Sequence, residues 1–153
     1  MTNEDLQNII TSLGTDLEFT TEASEFLNVI VPKEQLHSLC SQLKSHPELK
    51  FDYAFCITGM DWVPALGVIY HLNSTELKHE IVVKVMVDDR ENPTLDSVHD
   101  VWQTADFHEL EIFDFFGIKF NNHPKLRRLF LTPEWEGYPL RKDYVDEANM
   151  IIK

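Results

Sequence analysis

The chain of 153 residues has few glycines, few cysteines and no long apolar run. Its five glycines form neither G-x-G-x-x-G nor G-x-x-x-x-G-K-[ST], so the sequence carries no dinucleotide-binding or P-loop fingerprint. Two cysteines cannot supply the four thiolates of an iron–sulfur cluster, and no C-x-x-C or H-E-x-x-H zinc spacing occurs. No stretch approaches the roughly 18 apolar residues that indicate a transmembrane helix, so we expect none.

The beginning of the chain, MTNEDLQNII, has no basic n-region and no apolar h-region. We therefore expect no signal peptide. Cys40 falls in a helical pattern and Cys56 in an apolar, strand-like run. Both are predicted to be reduced, buried thiols of a cytosol-facing protein.

The charge of the chain is strongly negative and unevenly distributed. A formal net charge of -13 repels phosphate, which argues against binding to nucleic acid or to anionic membranes. From residue 117 to residue 142, however, six basic residues stand against two acidic ones. Charge alone leaves two interpretations of this segment open, a solvated face or a basic docking strip.

The order of the predicted elements indicates an α+β fold. Apolar residues at helical spacing predict helices over 2–13, 33–46 and, largely, 95–117. Four strand candidates rich in β-branched and aromatic residues lie at 26–31, 51–62, 66–74 and 79–87. The last two flank the polar turn NSTELK and are predicted to form a hairpin. Helices packed on one face of a mainly antiparallel sheet fit this order.

We predict two parts, an α+β globular domain over 1–118 and an extended, partner-docking tail over 119–153. The tail shows little periodicity, so we expect one short strand in it and no separately packed unit. It is nevertheless rich in tryptophan, tyrosine and arginine, the residues enriched in interface hot spots. Such a composition is unusual for a free tail and favours docking onto another protein.

The clearest candidate for acid–base chemistry is the sequence HELE. Its residues His108, Glu109 and Glu111 could serve a small stand-alone enzyme, with or without a metal ion. The structural alternative is that Asp106 and Glu109, three residues apart, form a capping box at a helix start. We favour the structural alternative, since no nucleophile in a recognisable setting accompanies the carboxylates.

The helical sequence HELEIFDFFG carries aromatic residues on two sides. Its apolar arc contains Leu110, Ile112, Phe113 and Phe116. Phe115 points toward the polar side, which indicates a helix covered by its own core and by something else. Glu109 falls inside the apolar arc and needs a capping role or a buried partner. Gly117 stands where a left-handed C-cap is expected.

The sequence HPKLRRLF follows this helix. Pro124 favours an extended conformation of His123. In an extended chain the adjacent Arg127 and Arg128 point to opposite sides. Their forked guanidinium groups suit carboxylates, either on a partner or on the preceding helix. The sequence leaves these two interpretations open.

The stretch ELEIFDFFGIKFNNHPKLRRL resembles the signature of the C subunit, the 30 kDa subunit family, of NADH:quinone oxidoreductase, respiratory complex I. The signature runs E-R-E-x-x-D-x-[FY]-G-I-x-F-x-x-H-P-x-L-x-R. The matching positions are Glu109, Glu111, Asp114, Phe116, Gly117, Ile118, Phe120, His123, Pro124, Leu126 and Arg128. Leu110 stands where the family has arginine. The later YPLRKDY resembles the family's C-terminal docking motif, and the resemblance covers about residues 50 to 144.

The resemblance implies a soluble, cofactor-free subunit of the peripheral arm that scaffolds the quinone-site subunits during electron transfer from NADH to quinone. Its expected partners are the D-subunit and B-subunit homologues of the complex, and the tail is expected to wrap onto the D-subunit homologue. Membrane contact is expected to be indirect, at the cytoplasmic face of the inner (plasma) membrane. NAD, quinone, FMN and iron–sulfur clusters are expected in other subunits. Membrane-bound hydrogenases and ferredoxin-fed relatives have equivalent subunits, so the electron donor stays open.

We expect no catalytic, cofactor-binding or metal-binding residue in this chain. The expected interface combines the signature with the large side chains of the tail. These residues are Glu109, Glu111, Asp114, Phe115, Phe116, Gly117, His123, Pro124, Arg127, Arg128, Trp135, Tyr138 and Arg141.

Overall fold

The computed structural model describes residues 1–21 and 24–148. Within them the helices are α1 (Asn3–Thr11), α2 (Leu36–Ser45) and α3 (Ala105–Phe116). The strands are β1 (Glu18–Thr20), β2 (Leu27–Val31), β3 (Tyr53–Asp61), β4 (Leu66–Asn73), β5 (Glu80–Val87), β6 (Thr94–Asp96) and β7 (Lys119–Asn121). None of the helices in this described part is long and apolar enough to cross a membrane.

Five of the strands form one sheet in the order β1-β2-β5-β4-β3. Three of its pairings are antiparallel, and only β2 and β5 run parallel. The short strands β6 and β7 form a separate parallel pair. The predicted α+β class, with helices packed on a mainly antiparallel sheet, is confirmed.

The core lies between one face of the sheet and the helices. From the sheet it takes alternate residues such as Val68, Tyr70 and Val85, all fully buried. The helices contribute the apolar positions predicted for α2, which are Leu36, Leu39, Cys40 and Leu43. The opposite face is less covered: Ile69 and His71 are half-buried, and Met86 is 43% exposed. Period-two alternation therefore decides which side of the sheet receives the helices.

Local sequence signals place several elements correctly. Of the two residues that could cap α1, Thr2 and Asn3, the structure has Thr2, which also forms a capping box with Asp5 that was not predicted. The hairpin is confirmed, with Asn73 opposite Glu80 at its end. The short strands β1 and β6 were not predicted, because three residues are too few to show a period.

The prediction of a largely helical stretch over 95–117 is wrong for its first ten residues. There the chain forms β6 and then a turn in which Val101 and Trp102 donate to the carbonyl of Val98. The indole Nε1 of Trp102 donates to the carbonyl of Phe51, 2.8 Å away. This buried tryptophan fixes the turn against the sheet, and the helix begins only at Ala105.

The division of the chain after residue 118 stays a prediction. The position of β7 suits a boundary after residue 121. This strand pairs with β6, and its Phe120 is only 3% exposed within the core. We therefore call residues 1–121 the body and residues 122–148 the C-terminal segment. Residues 149–153 of the predicted tail lie outside the described residues.

Both cysteines are free thiols, but only one is buried. Cys40 lies in the core at 0% exposure. Cys56 is half-buried on the edge strand β3, so the expectation of two buried thiols is wrong for this residue. The bulge in β3 between Ala54 and Cys56 changes its register there, so alternation alone is a poor guide to the exposure of Cys56.

Candidate functional site

Helix α3 positions most of the signature residues. It ends at Gly117, whose φ of 76° is left-handed and whose N–H donates to the carbonyl of Phe113. The predicted C-cap is therefore confirmed. A side chain at this position would also collide with Tyr138, since a Cβ there would lie 2.5 Å from its ring. Glycine allows both the turn and the close packing of the C-terminal segment.

Glu109 is fully buried and bound to the turn before the helix, not to the helix start. Its Oε2 accepts from the Ser97 hydroxyl at 2.5 Å and its Oε1 from the Val98 N–H at 2.8 Å. Burial raises the pKa of Glu109 to about 7, although the two hydrogen bonds oppose the shift. The capping box predicted for Asp106 and Glu109 is wrong: Thr104 occupies the N-cap, and its side chain makes no capping hydrogen bond to the helix.

His123 joins the beginning of the C-terminal segment to α3. Its Nε2 donates to the backbone carbonyl of Asp106 at 3.0 Å and lies 3.0 Å from the Asp106 carboxylate. Its Nδ1 accepts from the N–H of Lys125 at 3.1 Å. The Oε2 of Glu109 lies 4.0 Å from the same Nε2.

Asp114 is the centre of the contact between α3 and the C-terminal segment. It is 0% exposed, and its Oδ2 accepts from three consecutive backbone N–H groups, those of Leu129, Phe130 and Leu131, at 2.7–3.2 Å. Burial raises the pKa of Asp114, but the three N–H groups and Arg128 outweigh it and hold the pKa below its usual value. A carboxylate bound in this way fixes the backbone of the segment.

Arg128 folds back onto its own chain. Its Nη1 donates to the Asp114 carbonyl at 2.7 Å, and its Nη2 donates to the carbonyls of Trp135 and Gly137 at 2.8 and 2.9 Å. Arg127, in contrast, is exposed, and among the described residues it makes only a long contact of 3.4 Å to the Lys125 carbonyl. Of the two interpretations left open by the sequence, Arg128 follows the second, since it binds back to α3 and to the segment. Arg127 faces solvent.

A second charged cluster holds the far end of the segment. Arg90 binds Asp61 through both terminal nitrogens, at 2.8 and 2.6 Å, and also binds Asp143 at 2.9 Å. Asp61 additionally accepts from the N–H of Lys142 at 2.8 Å. The Arg90 guanidinium is the main reason that the pKa of Asp61 lies well below its usual range. These residues were not predicted, because the partners are 29 and 53 positions apart in the chain.

Tyr138 lies between the two clusters. The guanidinium carbons of Arg128 and Arg141 each lie 4.9 Å from the centre of its ring. Arg141 donates to the carbonyls of Phe116, at 2.7 Å, and Arg90, at 3.1 Å. Burial is the main cause that lowers the pKa of Arg141. The stack of two cations on one aromatic ring connects the clusters into one surface.

Several large apolar side chains of α3 and the segment are exposed among polar ones. Phe130 is 67% exposed and stacks on Phe115 of α3 at 5.7 Å. Leu140 and Val145 are 54% and 65% exposed, and Phe107 on α3 is 65% exposed. We call these five residues the apolar face. Exposed apolar side chains on a segment held by internal hydrogen bonds are typical of a surface that meets another protein.

The remaining predicted interface residues are divided between the surface and the interior. Glu111 and Pro124 are exposed, and Phe116 and Trp135 are half-buried. Glu109, Asp114 and Gly117 are buried, so they act through the residues that they hold. Twelve of the thirteen lie on α3 or on the segment that covers it, and Gly117 is the C-cap that ends α3.

The acid–base candidates do not converge. Glu109 points into the body toward Ser97, whereas His108 and Glu111 line a groove on the other side of α3, beside β3. Within residues 1–21 and 24–148, no group of three or more His, Cys, Asp or Glu side chains could hold a metal ion. The geometry of HELE therefore gives no support to a small stand-alone enzyme.

Comparisons with known proteins agree on the family. The family model described as "Respiratory-chain NADH dehydrogenase, 30 Kd subunit" matches residues 29–149. The NADH-quinone oxidoreductase C subunit of Chlorobium phaeobacteroides is 39% identical over 138 residues, which cover 88% of this chain and 82% of the relative. The NADH-quinone oxidoreductase C/D subunit of Phocaeicola vulgatus is 46% identical over 120 residues, 78% of this chain and 23% of the relative. The chain thus spans about a quarter of such C/D relatives.

A solved structure shares the fold. It is entitled "Structure of the membrane-bound sulfane sulfur reductase (MBS), an archaeal respiratory membrane complex". One of its chains superposes with a TM-score of 0.80 over 97% of this chain and 88% of that chain, at 24% identity. At this identity the likeness concerns the fold alone, including the arrangement of helices on the mixed sheet.

Proposed function

Because this chain belongs to the family of the respiratory-chain NADH dehydrogenase 30 Kd subunit, we propose that it is a non-catalytic docking subunit of an NADH:quinone oxidoreductase. In this role it scaffolds the subunits that build the quinone site while electrons pass from NADH to quinone. Its main partner is the D-subunit homologue, with the B-subunit homologue as a second neighbour. No substrate or redox group needs to bind to this chain.

The observation that carries this proposal is the fixed C-terminal segment with its apolar face. Asp114 and the Asp61–Arg90 pair hold the segment at two places, so its backbone is ordered before any partner arrives. Ordering a segment beforehand reduces the entropy that binding must overcome. Phe130 and Val145 nevertheless remain about two-thirds exposed, which is expected of side chains that a partner covers.

The names of the relatives support the D-subunit homologue as that partner. In Phocaeicola vulgatus and Bacteroides thetaiotaomicron the similar protein is a C/D subunit, in which a C-like part is one piece of a longer chain. When two proteins are joined in one chain, each has a high effective concentration near the other, and this favours a stable contact between them. A separate C subunit must obtain the same contact from its surface, and the apolar face supplies one.

The proposal that redox groups lie in other subunits rests on how the signature is used. Three of its charged residues are occupied by internal contacts: Glu109 with Ser97, Asp114 with the segment backbone, and Arg128 with backbone carbonyls. NAD, FMN, quinone and iron–sulfur clusters are accordingly placed in the partners. We place the assembled protein peripherally, at the cytoplasmic face of the inner (plasma) membrane.

Co-expression with a tagged D-subunit homologue tests the proposal. The variant Phe130→Ser/Val145→Ser removes two exposed side chains of the apolar face and should weaken co-purification about tenfold or more. Leu77→Ser is the matched control, because Leu77 is 38% exposed in the turn between β4 and β5, away from this face. If the double variant co-purifies as well as the Leu77→Ser control, the apolar face is not the docking surface.

A further inference from the structure

A groove runs between the edge strand β3 and helix α3, beside the apolar face. Its volume is about 320 Å³. Four consecutive residues of β3, from Cys56 to Gly59, form one wall. The other wall is the side of α3 that carries Phe115 and Phe116, and Leu140 of the C-terminal segment closes it. The groove thus has strand backbone on one side and aromatic side chains on the other.

The strand wall of the groove has an unpaired edge. β3 is the last strand of the sheet and pairs only with β4 in the described part of the chain. In an antiparallel pair every second residue turns its N–H and C=O away from the partner strand. Near the start of β3 the Thr104 hydroxyl covers this edge by donating to the carbonyl of Ala54 at 2.9 Å. Beyond that point the edge opens into the groove, and an open edge accepts another strand.

The charge at the groove selects what can enter. Glu111 lines it, is exposed, and makes no ion pair within residues 1–21 and 24–148. The guanidinium groups of Arg128 and Arg141 are occupied elsewhere, with Asp114 and with the carbonyl of Phe116, and the exposed Arg127 makes no ion pair with Glu111 among the described residues. An entering segment therefore meets an unmatched negative charge, and a lysine or arginine on that segment would complement it.

We propose that an extended segment of the D-subunit homologue adds to the free edge of β3 as a further strand. Its backbone pairs with β3, its apolar side chains pack against Phe115 and Leu140, and a basic side chain reaches Glu111. This inference rests on the proposed function, since it assigns a binding mode to the same partner. The groove is continuous with the apolar face through Leu140 and Phe115, so one partner can cover both.

A second copy of this chain is the less suitable occupant. Two identical β3 edges paired around a twofold axis would bring two equivalent Glu111 side chains toward the same interface. Like charges placed together oppose association, and each copy carries a formal net charge of -13. A basic segment of another protein meets neither obstacle.

The native cysteines provide a direct test. Cys56 lies in the groove and is half-exposed, whereas Cys40 is buried and its burial raises the thiol pKa, so alkylation by N-ethylmaleimide reports on Cys56. In the co-purified complex with the D-subunit homologue, Cys56 should react at least about tenfold more slowly than in the isolated chain. The Cys56→Ser variant checks that the signal comes from this thiol.

Each outcome of the alkylation experiment is informative. An equal rate of Cys56 alkylation in the complex and in the isolated chain would overturn the strand-addition proposal, while the complex itself would leave the docking function standing. If no complex forms, the proposed function and this inference fail together. Protection of Cys56 in the isolated chain that disappears on dilution would identify a second copy as the occupant and also overturn the proposal.

A charge-reversal variant provides the second measurement. Glu111→Lys should weaken association with the D-subunit homologue about tenfold, because it replaces attraction by repulsion at the groove. Glu48→Lys makes the same charge change at an exposed residue in the turn before β3, outside the lining of the groove, and should leave association unchanged. Equal affinity of the two variants would exclude a basic contact at Glu111.

Discussion

The body and the C-terminal segment are held together by different forces. In the body, a cluster of fully buried apolar residues joins the sheet to α1, α2 and α3. From residue 124 to residue 148, in contrast, no residue is buried as a whole. The segment is attached through Asp114, Arg128, Asp61 and Arg90, which bind its backbone and side chains.

This difference has consequences for stability. Apolar burial is spread over many side chains, so the loss of one leaves most of the core intact. The segment depends on a few charged contacts, so one substitution can release many residues together. Local opening of the segment should therefore cost less free energy than unfolding of the body, which hydrogen exchange resolves.

Replacing Asp114 should have the largest effect on how firmly the segment is held. Asp114→Ala removes the acceptor of three backbone N–H groups and leaves Arg128 without its carboxylate. Breaking a buried charged contact from one side costs about 3–5 kcal/mol. We expect faster hydrogen exchange and proteolysis between residues 127 and 141, with smaller changes in β3–β5. Uniform loss of protection in both regions would show that the segment and the body unfold as one unit.

A neutral replacement provides the control for Asp114. Asp114→Asn keeps an oxygen acceptor of similar shape but removes the charge. Its effect should be smaller than that of Asp114→Ala, since part of the backbone contact survives. If Asp114→Asn and Asp114→Ala destabilise equally, the charge is responsible for holding the segment and the shape of the side chain is not.

The second effect concerns pH and has one sign for Glu109, whose hydrogen bonds lie within the body, and the opposite sign for the carboxylates that hold the segment. Glu109, in the body, has its pKa raised from the ordinary 4.5 to about 7. Between these values the folded chain holds a proton that the unfolded chain has lost, so stability falls as pH rises from about 4.5 to 7 and then stays lower. Glu109→Gln mimics the protonated form and should remove this loss, on the order of 2–3 kcal/mol at pH 8.

The carboxylates of the body that hold the segment, Asp61 and Asp114, titrate in the other direction. The pKa values of Asp61 and Asp114 are lowered from the ordinary 3.8. Their contribution to stability is therefore present above about pH 4 and is lost as pH falls through the folded pKa values. Chemical denaturation of Glu109→Gln and of the unaltered chain from pH 4.5 to 8 measures the effect of Glu109. Hydrogen exchange of the segment at lower pH measures the effect of Asp61 and Asp114. A constant difference between the two proteins across that range would contradict the assignment for Glu109.

The third prediction compares the stability lost when Arg90 is removed with the stability lost when one of its partners, Asp143, is removed. Arg90→Ala leaves Asp61, whose side chain is 2% exposed, without its cation, and should destabilise the segment by about 2–3 kcal/mol. Asp143→Ala removes a partner that is 64% exposed and should cost less than about 1 kcal/mol. Hydrogen exchange of the segment backbone measures both. Equal losses would mean that burial of Asp61 does not set the strength of the cluster.

What the sequence predicts well is the body and the identity of the signature. Period-two and helical patterns place α2, the β4–β5 hairpin and the glycine C-cap, because each depends on neighbours in the chain. The resemblance of the signature selects the residues of α3 and the segment that contact one another. It does not say which residues face a partner: Asp114 and Glu109 belong to the signature and are buried.

The contacts that organise the segment are beyond local patterns. Asp61 lies on β3, Arg90 follows β5, and Asp143 lies near the end of the segment. Only the folded sheet brings them together, so neither spacing nor charge runs predicted the pair. The helix start was misplaced for a similar reason, since Trp102 reaches Phe51, 51 positions away. Long-range contacts of this kind override local propensity.

The smallest predicted effect tests whether the packing of Tyr138 against Gly117 couples the segment to the body. Gly117→Ala forces a left-handed residue to carry a Cβ, which costs about 1 kcal/mol. The same Cβ lies 2.5 Å from Tyr138 and 2.8 Å from Arg141. The ring must therefore shift, and the stack of Arg128 and Arg141 on it weakens. Gly14→Ala is the control, because its Cβ meets only side chains, at 3.1 Å or more. If the segment is as protected in Gly117→Ala as in Gly14→Ala, Tyr138 is not what couples the body to the segment.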